Sequence, residues 1–149
     1  MDPLTARILD AQLLSQDGDL EGAGRLLVSA FEELSSRPWV DRAVGQDAFA
    51  LALILAKRSP VQAELLLKAL LRPLSLYAFD SRRRDTLLAI AANFNVRVQE
   101  AVLAEFEPHV PWNEPFLRAR RNVYRATSNS LAVQAERDLV NFLNQQSNR

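Results

Sequence analysis

Water-based catalysis needs a proton carrier or nucleophile held beside its partners, and this chain offers few. His109 is the only histidine. It stands between Pro108 and Val110-Pro111, with no His, Asp or Glu at metal-ligand spacing around it. It reads as a loop histidine, packed or solvated. Cysteine is absent, which excludes disulfides, thiolate zinc sites and cysteine nucleophiles together. Gly18, Gly22 and Gly24 follow no strand and precede no Lys-Ser/Thr pair. They are therefore not a phosphate cradle but a turn with close helix packing. Glu32-Glu33 and Glu105 with Glu107 are acidic clusters without an aromatic-lined sugar site, and solvated helix ends account for them. No catalytic residue, metal ligand or cofactor is expected, and the chain does not read as an enzyme.

The arginines offer binding chemistry instead. Arg118, Arg121 and Arg125 stand at i, i+3 and i+7 and so share one face of a helix. Arg82-Arg83-Arg84 opens another helix. A guanidinium suits bidentate capture of carboxylate or phosphate. The competing reading is ordinary surface charge, with Glu114 pairing Arg118 at i, i+4. Nucleic acid is not expected as a partner, because net charge is zero and no aromatic residues interleave the arginines.

The elements that must position these residues follow from composition and punctuation. The chain has 149 residues, 48% hydrophobic and 24% charged, as in a globular domain, and a single domain over 1–149 is expected. No basic segment with an apolar stretch opens the chain. The longest apolar run, Ala48 to Ala56, is too short to span a membrane, so no membrane insertion is expected. The expected compartment is the bacterial cytoplasm if the chain is complete, and the periplasm if it is an excised domain.

Only four glycines occur, and no Val/Thr-rich alternating stretch suggests a strand. Asp2-Pro3 opens the first helix, with Leu4, Ile8 and Ala11 at helical spacing. Gly18-Asp19 breaks it. The spacing predicts further helices over Leu20–Leu34, Gly45–Lys57, Pro60–Leu71, Asp80 or Ser81 to Ala92, Val96–Phe106, Asn113 onward, and Leu131–Gln145. The tail from Gln146 to Arg149 should fray.

Eight helices make four pairs, and the punctuation repeats. Pro38, Pro73 and Pro108 lie 35 residues apart. Ala23, Ala63, Ala101 and Ala135 fall early in each second helix, at intervals of 40, 38 and 34 residues. Val61-Gln62-Ala63-Glu64 recurs as Val133-Gln134-Ala135-Glu136. A helix-pair period of this length marks a solenoid.

These features resemble the tetratricopeptide repeat. Gly18-Asp19-Leu20-Glu21-Gly22-Ala23 is similar to that family's turn and second-helix start. Ala23/Leu27, Ala63/Leu67 and Ala135/Leu139 match its small-then-apolar spacing. The third pair departs, with Glu105 where the apolar residue belongs and Phe106 one place later. No Trp or Gly-Tyr pattern marks the first helices.

The resemblance implies an all-α, right-handed superhelical solenoid of about four antiparallel helix hairpins. The first helices would line a concave groove that binds a peptide or helix of a partner protein. Gln12 and Gln16 would line it with Ile8, Ala52 and Leu55, while Arg82, Arg83, Arg118, Arg121 and Arg125 would hold acidic groups of the partner. Trp39, Trp112, Tyr77 and Phe79 would pack between repeats or anchor the partner. Two alternatives remain open: a non-catalytic assembly domain of a larger enzyme or membrane machine, and a closed pocket for a small ligand.

Overall fold

The structure, a computed structural model, describes residues 2–147. Among these it is all-helical, with eight helices and no strand: α1 (Pro3–Asp17), α2 (Leu20–Leu34), α3 (Arg42–Arg58), α4 (Pro60–Leu70), α5 (Tyr77–Ala91), α6 (Val96–Ala104), α7 (Glu114–Ala126) and α8 (Ala132–Ser147). Six of them are capped by a side chain at the residue preceding the first turn, which satisfies an otherwise orphaned amide. Asp2, Asp19, Asp41, Ser59, Asn95 and Asn113 do this. Gly18 closes α1 at φ 90°, a left-handed conformation that glycine adopts without a Cβ clash.

Several boundaries move from the sequence expectation. Asp41 caps α3, so that helix begins before Gly45. α5 begins at Tyr77, and Asp80 sits inside its first turn. There Asp80 pairs with Arg83 and Arg84 rather than capping. An acidic group in a first turn is favoured by the helix dipole, so the same residue suits either register. α6 stops at Ala104, before Glu105. Gln146 and Ser147 continue α8, while Asn148 and Arg149 lie outside the described residues.

The chain divides into two compact units, Met1–Ile90 and Ala91–Arg149. In the first unit α1 packs on α2 and α3, α3 on α4, and α2 on both α3 and α4. Its core runs through Leu4, Ile8, Leu27, Phe31, Leu34, Phe49, Leu55, Leu66, Leu70 and Leu87. Phe31 and Phe49 lie 5.4 Å apart by ring centroids, and Phe49 and Phe79 lie 6.2 Å apart. This aromatic row joins α2, α3 and α5. It passes Gly45 so closely that an added Cβ would stand 2.5 Å from Phe79 Cε1.

Polar bonds close the ends of this unit. Asp2 accepts from the Thr5 amide and pairs with Arg37 at 2.9 Å, and the Arg37 guanidinium holds its carboxyl below the usual range. Glu33 pairs with both Arg7 and Arg37 at 2.5 Å, linking the start of α1 to the end of α2. Arg83 donates to the Leu70 carbonyl at 2.8 Å and so caps the C-terminal end of α4.

In the second unit α7 packs on α6 and α8. Val102, Leu103, Phe106, Phe116, Leu117, Val123, Tyr124, Ala135 and Leu139 are buried, with Phe106 and Phe116 4.8 Å apart. Arg120 is only 2% exposed among them. It grips Glu107 through Nε at 2.6 Å and a second amine at 3.2 Å, and reaches Asp138 at 2.7 Å. Its guanidinium carbon lies 5.5 Å from the centre of the Tyr124 ring, and the Tyr124 hydroxyl donates to Glu107 at 3.0 Å. One cation thereby ties α7, α8 and the loop after α6 together, since a buried charge survives only when paired. Glu100 accepts from Thr127 at 2.8 Å and Asn129 at 2.7 Å, and these bonds hold its carboxyl below the usual range.

Candidate binding groove

The exposed faces of α1, α3 and α5 in the first unit form two adjoining depressions. The larger, about 930 Å³, has Val40, Ala50, Leu76, Ala78 and Phe79 as its apolar surface. Arg42, Gln46, Asp47, Ser81, Arg82 and Asp85 supply the polar groups around it. Trp39 also lines it and is 75% exposed. The smaller, about 380 Å³, is lined by Gln12, Ser15, Gln16, Leu51, Ile54 and Arg58. Asp47 and Ala50 line both, so the two meet along α3.

Helical spacing explains why this face of α3 is open. Asp47, Ala50, Ile54 and Lys57 recur every three or four residues and are exposed, as are the adjoining Gln46 and Arg58. The opposite face carries Ala48, Phe49, Leu51, Ala52, Leu55 and Ala56, all buried. The charges at the wider end are unpaired among the described residues: Arg42, Arg82, Asp47 and Asp85 make no ion pair. Arg58, at the narrow end, donates to the Ser15 carbonyl at 2.7 Å and to Ser15 Oγ at 3.2 Å.

The residues singled out from sequence therefore separate. Gln12, Gln16 and Arg82 stand in the groove. Ala52 and Leu55 are 0% exposed, and Ile8 is also buried, so these three face the core rather than the groove. α3 is apolar nearly all round, and its periodicity left the buried face ambiguous between neighbouring positions. The groove is lined by Ala50 and Ile54 instead. Arg83 is buried and committed to Asp80 and the Leu70 carbonyl, a structural role.

Arg118, Arg121 and Arg125 lie in the second unit. Arg118 pairs with Glu114 at 2.7 Å, while Arg121 and Arg125 approach Glu136 at 3.8 and 4.0 Å. Of the four aromatic residues placed between helix pairs, Phe79 packs inward while Tyr77 is 92% exposed. Trp112 is partly exposed, with its ring edge against Phe142.

Sequence reasoning missed Arg42, Gln46, Asp47 and Asp85. The start of α3 at Arg42, had Asp41 been read as its cap, would have exposed the Arg42-Gln46-Ala50-Ile54 stripe. It also missed the second unit's depression of about 590 Å³, where His109, Trp112, Leu131 and Gln134 stand over Glu107, Arg120 and Asp138. Burial and its bond to Glu107 push the Tyr124 hydroxyl beside that cluster up to about 12. The polar atoms of the cluster bond one another, which makes it a structural clasp.

Among the described residues no group of three or more His, Cys, Asp or Glu is placed to hold a metal ion, and no helix is long and apolar enough to cross a membrane. No family model matches the chain, and neither curated proteins nor solved structures give a match. What fold and site define is thus a class: an all-α chain with an open, mixed-polarity groove across alternate helices.

Proposed function

We propose that this chain is a protein-interaction module of helical-repeat type, whose first unit binds a segment of a partner protein along the α1–α3–α5 groove. The observation that carries the reading is that three alternate helices expose polar and small apolar side chains along one trough. That trough is open to solvent, as a polypeptide requires, rather than closed around a small molecule.

The repeat reading has its own support. α1 packs on α2 and α3 while α2 packs on α4, the neighbour pattern of stacked helix pairs. The two Val-Gln-Ala-Glu stretches also orient alike, with Val61 and Val133 exposed and Ala63 and Ala135 buried. The acidic partner expected from the arginines narrows to a segment bearing acidic residues among basic ones. Asp47 and Asp85 would repel a uniformly acidic one.

The test is selection of binding peptides from a displayed library of unstructured segments, followed by fluorescence anisotropy on the full chain. Ala50→Arg with Ile54→Arg fills the trough from two exposed positions and should weaken the selected peptides at least about tenfold, one decade of affinity. Val61→Ser on α4 should leave them unchanged. Failure to select any peptide, or peptides indifferent to the double substitution, refutes the groove.

A further inference from the structure

The glutamines of the groove are unusual within this chain. Gln62 is buried against Gly24, Gln99 donates to the Phe94 carbonyl, Gln134 donates to Asp138, and Gln145 accepts from Trp112. Apart from Gln146 near the end of α8, Gln12, Gln16 and Gln46 are the glutamines with no bond or packing role of this kind among the described residues, and all three line the trough. A primary amide offers one acceptor and two donors, the complement of a peptide group's N–H and C=O.

Spacing adds to this. Gln12 and Gln16 are one turn apart on α1, so their axial separation is about 6 Å. Peptide groups that face the same way along an extended chain repeat every two residues, roughly 6.6 Å. The two periods nearly coincide over this short reach.

We infer, resting on the groove reading above, that the occupant is an extended polypeptide segment whose main chain is held by Gln12, Gln16 and Gln46. A helix has already satisfied its backbone amides internally and could not use these side chains. Main-chain capture by Gln12 and Gln16 at the narrow end leaves side-chain choice to the wider depression, where Gln46 also stands. There Trp39, Ala50 and Phe79 accept an apolar side chain, and the unpaired Arg42, Arg82, Asp47 and Asp85 favour flanking residues of both signs. The segment's own charge pattern, rather than a single acidic anchor, sets which partner is chosen.

The experiment uses peptides selected as above, measured by anisotropy on the full chain. Each peptide nitrogen is methylated in turn, which removes one donor. Two positions spaced two residues apart should each lose about 5- to 10-fold, the worth of one hydrogen bond. On Gln12→Leu and Gln16→Leu the same methylations should cost almost nothing more. A version of the peptide locked into a helix by a side-chain bridge should bind at least about tenfold worse. If the helical version binds as well or better, or methylation is tolerated throughout while Ala50→Arg with Ile54→Arg still abolishes binding, the extended occupant is wrong and the groove stands. If the double substitution has no effect, the groove falls and this inference with it.

Discussion

Gly45→Ala is the most exposing single change to make in the groove's floor. Elsewhere in a helix, replacing glycine by alanine stabilises by up to about 1 kcal/mol, because the unfolded chain loses freedom. Gly45 lies in the first turn of α3, with its amide on the Asp41 carbonyl, so that gain is available in principle. The obstacle is Phe79. A Cβ at this position would stand 2.5 Å from Cε1 and 3.1 Å from Cε2 of that ring. Ordinary carbon contacts lie near about 3.5–4.0 Å, so the ring must retreat by roughly 1 Å.

Phe79 packs on Phe49 and Phe49 on Phe31, so any retreat of its ring disturbs that aromatic row. Overpacking of this kind costs about 2–3 kcal/mol. Net of the helix gain, the variant should lose about 1–2 kcal/mol. Urea unfolding followed by circular dichroism measures this as a lower midpoint at unchanged slope. Adding Phe79→Leu should recover part of the loss, giving a favourable coupling of about 1 kcal/mol between the two sites. A Gly45→Ala chain more stable than its parent would refute the close approach of α3 and α5 and the groove floor built on it.

Further expectations follow from the second unit and from one cap. Arg120→Met leaves Glu107 and Asp138 facing each other without their cation and should destabilise by about 3 kcal/mol, the lower end for a broken buried pair because both carboxylates keep some water; urea unfolding reads it. In a Tyr77→Phe background, absorbance of the remaining tyrosinate should rise only at about pH 12, not near 10. The unfolded chain would release that proton first, so the tyrosine's contribution to stability is complete below about pH 10 and lost as pH rises towards 12; unfolding midpoints across this window check the sign. Asn113→Ala removes the side chain that accepts from the Phe116 amide at 3.0 Å, and should cost about 1 kcal/mol by the same unfolding assay.

Much of the helix layout was legible because caps and breakers are local chemistry. Ser59-Pro60, Asn95 and Asn113 each stand immediately before the helix they start. The small-then-apolar pairs Ala23/Leu27, Ala63/Leu67 and Ala135/Leu139 are all buried as their spacing implied. The third pair's departure is physical as well: Ala101 and Glu105 are exposed, α6 ends early, and Phe106 is buried in their place.

Faces were harder to read. In α3, Ala48 to Ala56 is apolar without interruption, so burial of Ala52 and exposure of Ile54 depend on which neighbours lie on each side. Charges were harder again. Arg82, Arg83 and Arg84 are adjacent in sequence, yet one enters the groove, one is buried, and one pairs with Asp80. A run of like residues says nothing about such a partition. Tertiary neighbours decide it.

The bond from Arg58 to the end of α1 has a consequence for timing. The guanidinium keeps its charge, since Ser15 is neutral, but is tied to the end of α1, while Arg42, Arg82, Asp47 and Asp85 stand towards the other end with no ion pair among the described residues. Long-range attraction quickens encounter, whereas short-range bonds lengthen residence. A visitor would thus be drawn in at the α5 side and detained at the α1 side. Raising salt should slow its arrival far more than it hastens its departure.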